Sequence, residues 1–263
     1  MKTQPALTLI ATAIALSLPV ALAPQTHAAT VVAPNQTSNA GLSTALIDGN
    51  RTYLMQYGAS LLSGINVGDQ ITGLTFRLSS SGTGSSVPPS SPATSFTNWD
   101  LTLAQAANPI SSLSTTFASN LTNPVLVRSG ALAFAAGAFP GGAVNPTTNP
   151  FGPVINFTTP YTYQGGDLVV LISHTGGTNA VGFLDALNIG APGYDSVFRA
   201  LSANLFNAAI ATTSYQSFTI TQFTTSPALP PATTPEPSAL VGLGAVVGLG
   251  ASFKRRRAQA DKN

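Results

Sequence analysis

Histidine is the side chain best suited to proton transfer near neutral pH, and the sequence contains two, His27 and His174. His174 directly follows Ser173, so a Ser–His–Asp catalytic set is the first chemistry to weigh. The sequence lacks the Gly-x-Ser-x-Gly turn that presents a nucleophilic serine in many hydrolases. A zinc site needs several histidine or cysteine ligands, and the chain has no cysteine. We therefore predict that His174 lies in a turn at the end of a strand and has no catalytic role.

Oxygen ligands could form a second kind of site, because calcium binds carboxylate and amide oxygens. Asp185, Asn188 and Asp195 are the candidates, although their spacing matches no EF-hand loop. The alternative is that these acids are solvated loop residues. A glycosidase with paired carboxylates would have to use two aspartates, because Glu236 is the only glutamate in the chain. We expect no cofactor, with calcium as the alternative.

Aromatic side chains could stack on sugar rings. The candidates are Trp99, Tyr53, Tyr57, Tyr161, Tyr163, Tyr194 and Tyr215. Aromatic residues in alternating strand patterns more often fill a hydrophobic core, so core packing is the competing prediction.

The elements that must position these residues are predicted to be strands. Apolar and polar residues alternate with a period of two, as in strands with one buried face, at 74–78, 99–103 and 218–221. Val125 and Val127 flank Leu126 in a further candidate strand. Residues 168–172 are continuously apolar, which predicts a strand buried on both faces. Turn signals at 67–69, 140–142, 164–167 and 175–177 separate the runs. We predict an all-β fold, an antiparallel jelly-roll-like sandwich over residues 30–225.

Less regular segments interrupt this pattern. Residues 79–95 are rich in Ser, Gly and Pro and predict a long mobile loop, and residues 137–153 predict another. Residues 59–62 predict one short helix. Around residues 68–77 and 125–130 the sequence resembles a β-sandwich module found in envelope-sorted bacterial proteins. That resemblance implies a fold and no activity.

Charge is scarce and unevenly placed. Charged residues make up 7% of the chain, against about 25% in a typical soluble domain. All three lysines lie near the ends, at Lys2, Lys254 and Lys262. Residues 30–225 carry four arginines and six aspartates, so this region is slightly acidic although the pI of the chain is about 9.1. Without a basic stripe, we expect no nucleic-acid partner.

Residues 1–29 have the features of a secretory signal peptide. Lys2 is a short positive region, residues 6–23 are mostly apolar and uncharged, and small residues follow. We predict cleavage at Ala28 or Ala29, with the Sec translocon and signal peptidase as partners. The alternative is an uncleaved membrane anchor, which Pro19 inside the apolar stretch disfavours.

The opposite end of the chain has three successive parts. Residues 226–237 form a Pro-rich linker. Residues 238–253 are uncharged and would span about 24 Å as a transmembrane helix, slightly less than the roughly 30 Å of a hydrocarbon core. Residues 254–263 form a basic tail, whose cluster would orient that helix with its C-terminus in the cytoplasm. The cluster consists of Lys254, Arg255, Arg256 and Arg257.

The order of motif, apolar segment and basic cluster from Thr234 to Arg257 resembles the PEP-CTERM sorting signal of Gram-negative bacteria. The resemblance implies that an exosortase, a membrane-embedded processing enzyme, recognises Pro235, Glu236 and Pro237 and cleaves or transfers the protein near them. It also implies a producer that makes exopolysaccharide. The alternative is an ordinary tail anchor after a proline linker.

Three functions remain open for the domain. The first prediction is an exported envelope or extracellular-matrix protein with a structural or adhesive role and no catalysis. The second is a carbohydrate-binding module for the cell's own exopolysaccharide, and the third is a secreted hydrolase. In each case the chain would span the inner membrane once before processing and would then reach the cell surface or the matrix.

Overall fold

Residues 28–36, 40–42, 44–80 and 90–228 are described by the structure, a computed structural model of the chain. The predicted transmembrane helix and basic tail, and most of the predicted signal peptide and linker, lie outside these residues. None of the helices in the described part of the chain has the length and apolar character that a membrane crossing requires.

The described residues form fourteen strands. They are β1 (Ala29–Ala33), β2 (Ala40–Leu42), β3 (Arg51–Tyr57), β4 (Gln70–Thr75), β5 (Thr94–Phe96), β6 (Trp99–Ala106), β7 (Leu121–Arg128), β8 (Leu132–Phe134), β9 (Ile155–Thr162), β10 (Leu168–His174), β11 (Leu184–Leu187), β12 (Phe198–Ala203), β13 (Phe218–Thr219) and β14 (Thr221–Ser226). Short 3₁₀ helices lie at Thr44–Leu46, Ala59–Leu62, Ile110–Ser112 and Phe117–Asn120. The second of these confirms the short helix predicted at 59–62, and the fold is all-β.

The strands pair antiparallel in two main sheets, with orders β1-β14-β4-β9 and β12-β3-β10-β6-β7. A three-stranded sheet, β13-β11-β2, and the pair β5-β8 accompany them. Every pair except β11 with β13 joins one of the first six strands to one of the last eight. The second half of the chain therefore returns along the first, and the antiparallel sheets are consistent with a β-sandwich.

β10 lies at the centre of the five-stranded sheet, between β3 and β6. Leu168, Val170 and Ile172 join the main core, which also contains residues of the four-stranded sheet. Val169 instead packs in a smaller apolar cluster with Phe117, on the outer face of its sheet. The prediction of a strand buried on both faces is confirmed.

The prediction of a mobile loop at 79–95 is wrong at both ends of that segment. Ser79 and Ser91 are buried, and β5 begins within the segment. Asn149 explains the order at the first end, because its Nδ2 donates to the carbonyl oxygens of Leu78 and Ser79, each 3.0 Å away. Since Asn149 belongs to the other predicted loop, 137–153, the two segments hold each other in place.

The first and last strands of the domain pair with each other. Ala29 of β1 lies opposite Thr225 of β14. Just beyond β14, Asp69 Oδ1 accepts a hydrogen bond from the backbone N–H of Ala228 at 3.2 Å. Asp69 Oδ2 accepts from the backbone and side-chain nitrogens of Asn66 at 2.9 and 3.0 Å. The chain therefore enters and leaves the domain side by side.

Candidate functional sites

His174 is the last residue of β10 and is fully buried, so its predicted place in a turn is wrong. The strand extends past the apolar run because β3 and β6 still pair with it on both sides. His174 Nδ1 lies 3.2 Å from the carbonyl oxygen of Thr175, and Nε2 lies 3.3 Å from that of Thr44. Burial lowers the pKa of His174; the two carbonyl contacts oppose this shift, and the charge of Arg51 adds to it.

Ser173 cannot be activated by His174, because successive side chains of a strand point to opposite faces of the sheet. Ser173 Oγ accepts from the backbone N–H of Asn207 at 2.7 Å and lies 3.3 Å from Thr52 Oγ1. The ring of His174 packs on the other side, edge-on to Phe96 at 5.0 Å. The sheet therefore separates the two residues that the sequence places together.

A cavity of about 310 Å³ opens beside Ser173 and Thr52 on the outer face of the five-stranded sheet. Phe117, Leu171 and Asn207 also line it, and its described lining contains neither a charged residue nor a histidine. A serine needs an adjacent base to act as a nucleophile. This cavity offers Ser173 no such base.

The three residues considered for calcium each have their own contacts. Asp185 is fully buried in β11, where its Oδ2 lies 2.5 Å from Nε of Arg77. Asp195 Oδ1 lies 3.2 Å from Nε of Arg199, and Asn188 Oδ1 accepts from a backbone N–H two residues on. The alternative prediction of solvated loop acids is wrong for Asp185, because β11 is buried between β2 and β13. Within the described ranges, no group of three or more His, Cys, Asp or Glu residues could hold a metal ion.

Most of the aromatic candidates for sugar stacking lie in the core. The buried ones are Trp99, Tyr53, Tyr57, Tyr161 and Tyr163. Tyr194 is half-buried, and Tyr215 is 50% exposed. Core packing is therefore confirmed for five of the seven candidates, and only Tyr194 and Tyr215 offer a surface.

Tyr215 lies in an aromatic and charged cluster at the edge of the five-stranded sheet, where residues 212–216 hydrogen-bond to β12. The guanidinium carbon of Arg199 lies 4.2 Å from the centroid of the Tyr215 ring. The Tyr194 ring is beside that of Tyr215, with centroids 6.4 Å apart and a tilt of 33°. Asp195 completes the cluster through its ion pair with Arg199. The two atoms are close enough for a hydrogen bond, but their geometry does not form one. Burial raises the pKa of Tyr194 to about 12, so this ring stays neutral.

Sequence reasoning did not find Arg199, and its own sequence neighbourhood explains why. Arg199 stands between apolar residues in a strand that is buried along its whole length. Its side chain lies on the outer face of the sheet, where Nη1 donates to Ser111 O at 3.3 Å and Nη2 to Ser214 O at 3.2 Å. A lone arginine in an otherwise apolar run was the signal that could have indicated it.

Most of the residues predicted to take part in sorting lie outside the described part of the chain. Pro235, Glu236 and Pro237 lie outside the described residues, as does the basic cluster Lys254, Arg255, Arg256 and Arg257. Ala28 immediately precedes β1, and Ala29 is the first residue of that strand. A cut at either alanine would thus fall at the edge of the folded domain.

Comparison with known proteins identifies no relative. The chain matches no protein-family model, no curated protein and no solved structure.

Proposed function

We propose that this protein is exported and sorted by a PEP-CTERM signal to the cell surface or extracellular matrix, where it has a structural or adhesive role and no catalysis. The tail sequence carries the proposal, because the motif at 235–237, the uncharged segment 238–253 and the basic cluster follow one another in order. Segment 238–253 serves as a transmembrane helix until an exosortase acts near the motif.

The ends of the domain support this proposal. Signal peptidase cuts at Ala28 or Ala29, where β1 begins, and the linker leaves beside it at Ala228. The nine residues 229–237 reach roughly 30 Å when fully extended. The domain can therefore stand clear of the membrane on its linker, with both of its ends on the membrane side.

The domain is a jelly-roll-like sandwich in this proposal. Pairing between the first six and the last eight strands supports that topology, because a jelly roll folds a long antiparallel ribbon back on itself. Its low charge, with four arginines and six aspartates in residues 30–225, keeps repulsion between neighbouring copies weak. Weak repulsion suits a protein that accumulates in a matrix.

The competing functions differ in their support. A secreted hydrolase built on Ser173 and His174 is disfavoured, because the sheet separates the two side chains. A carbohydrate-binding module for the cell's own exopolysaccharide is favoured by the exposed ring of Tyr215. It is the second candidate function.

Glu236→Ala tests the sorting step. We expect normal export but accumulation of the unprocessed chain, detected by mass spectrometry of both ends of the protein. Pro230→Ala is the matched control, because it changes the same linker outside the motif and should be processed like the wild type. Normal processing of Glu236→Ala would reduce the tail to a plain membrane anchor.

A deletion strain tests the role of the domain. Loss of matrix integrity or of surface adhesion is the expected result, and complementation with the intact chain should restore it. Unchanged matrix and adhesion would exclude the structural role.

A further inference from the structure

Half of the Tyr215 side chain is exposed to solvent. The guanidinium of Arg199 covers the other face of the ring, with its carbon 4.2 Å from the ring centroid. The side chain is nevertheless 50% exposed, as expected when one face of a ring is covered and the other is free. Phe183, at 42%, is the other described aromatic residue with comparable exposure.

The side chains that pack against the Tyr215 ring are themselves fixed by hydrogen bonds. Arg199 is only 6% exposed, and its two Nη atoms donate to the carbonyl oxygens of Ser111 and Ser214. Beside it, the hydroxyl of Tyr194 donates to the carbonyl oxygen of Gln216 at 2.8 Å. A ring that is already fixed loses little conformational entropy when a ligand covers it.

A carboxylate shares the arginine that Tyr215 rests on. Asp195 contacts the same guanidinium as Tyr215, with its Oδ1 turned inward to Nε of Arg199. Its side chain is 44% exposed, and its backbone adopts the left-handed conformation at φ +65°. An ionised carboxylate has about four acceptor positions on two oxygens, so Asp195 keeps acceptor capacity on its solvent side.

We infer that Tyr215 and Asp195 form a binding site for a neutral polysaccharide chain. A pyranose ring has an apolar C–H face that fits an aromatic face, and hydroxyl groups at its rim that donate to a carboxylate. The one cation of the cluster lies beneath Tyr215, and all three lysines of the chain lie outside residues 30–225. Anionic polymers therefore find little attraction here, and the open shape suits a chain more than a small enclosed molecule.

This inference rests on the proposed function, because sorting is what brings the domain to the exopolysaccharide of the cell. The probe is the neutral polysaccharide fraction purified from cultures of the producing cells. Affinity electrophoresis of the secreted protein in gels containing this fraction gives a dissociation constant from the retardation. We expect Tyr215→Ala to weaken binding at least about tenfold, as for other aromatic anchors of binding sites.

Three further variants sharpen the test. Tyr215→Phe keeps the ring and should bind within about twofold of the wild type, a difference well under 1.4 kcal/mol. Asp195→Asn removes the carboxylate and should weaken binding several-fold. Phe183→Ala is the matched control, because it removes an exposed aromatic ring elsewhere and should leave binding unchanged.

The outcomes separate this inference from the sorting proposal. A wild-type protein that is not retarded, or a Tyr215→Ala variant that binds like the wild type, overturns the polysaccharide site. If that variant is still processed and localised normally, the sorting proposal stands. If Glu236→Ala is processed normally but Tyr215→Ala loses retardation, the site stands and the sorting proposal fails.

Discussion

The hydroxyl of Tyr57 in β3 lies 2.7 Å from Oγ1 of Thr221 in β14, and this contact joins the two main sheets inside the core. The Tyr57 ring also packs edge-on against Phe218 and Phe223, with centroids 4.7 and 5.3 Å away. One residue pair thus combines apolar packing with a buried hydrogen bond. Such a bond adds about 1 kcal/mol to folding stability, whereas a buried polar group left without any partner costs about 1–3 kcal/mol.

Tyr57→Phe keeps the ring and removes the hydroxyl. We expect its free energy of unfolding to fall by about 0.5–1.5 kcal/mol, because the buried hydroxyl of Thr221 loses this bond and keeps only the one to the carbonyl oxygen of Thr219 at 3.3 Å. The double variant Tyr57→Phe/Thr221→Val should recover part of that loss, since both polar groups are then gone. Urea denaturation of the purified protein measures both changes, with the exposed Tyr215→Phe as a control within about 0.5 kcal/mol of wild type. Equal stability of Tyr57→Phe and wild type would contradict this account.

His174 predicts a dependence of stability on pH. Burial lowers its pKa in the folded state, whereas in the unfolded chain the pKa stays near its ordinary value of about 6.5. As the pH falls below about 6.5, the unfolded chain binds a proton first, so stability is full above this value and declines below it. Arg51 adds to the effect, because its charge also opposes protonation of the ring.

Denaturant midpoints between about pH 7.5 and 5.5 check this prediction, in a window that lies above the ordinary pKa of aspartate. The midpoint of the wild type should fall with pH, and that of His174→Gln should stay level. A parallel fall in both proteins would assign the effect to other groups.

The buried pair of Asp185 and Arg77 predicts a large asymmetry between single and double substitutions. Asp185→Asn leaves the arginine without its counter-charge and should cost about 3–5 kcal/mol of folding stability. Arg77→Met/Asp185→Leu removes both charges and should be much closer to wild type. Asp48→Asn, in an exposed turn, is the control and should change stability by about 0.5 kcal/mol or less. Chemical denaturation of the four proteins would refute the idea if Asp185→Asn behaved like the control.

Local pattern in the sequence predicted five runs, which overlap six of the fourteen described strands. The alternation at 99–103 became β6, with Trp99, Leu101 and Leu103 fully buried. The same rule failed at Thr219 and Thr221, which are polar and fully buried. Their hydroxyls have partners in the core, Tyr53 and Tyr57, and those partners lie more than 160 residues earlier in the chain.

Side-chain roles that depend on distant partners could not be predicted in this way. Asp185 pairs with Arg77 across 108 residues, so nothing near Asp185 in the sequence indicates a buried ion pair. Tyr215 was one of seven aromatic candidates of equal rank until burial of the others and the position of Arg199 distinguished it. Contacts between residues far apart in the chain decide both cases, and periodicity within one strand carries no information about them.

The hydrogen bond between Asp69 and Ala228 marks the point where the folded domain ends and the linker begins. Its carboxylate accepts from Ala228 and twice from Asn66, so Asp69→Ala removes three hydrogen bonds at the exit of the chain. We expect a modest stability loss of about 1–2 kcal/mol, because these bonds lie at the end of the domain and not in its core. The chain after β14 should fray, since fraying begins where backbone hydrogen bonds are fewest.

Limited proteolysis with mass spectrometry of the fragments measures this fraying. Cleavage near Ala228 should be several-fold faster in Asp69→Ala than in wild type, while Asp48→Ala, in an exposed turn, should leave the rate unchanged. Amide exchange then locates the effect. Retained protection in β1, which pairs with β14 up to Thr225, would confine the fraying to the linker. Loss of protection in β1 would mean that Asp69 also stabilises the pair of strands where the chain enters and leaves the domain.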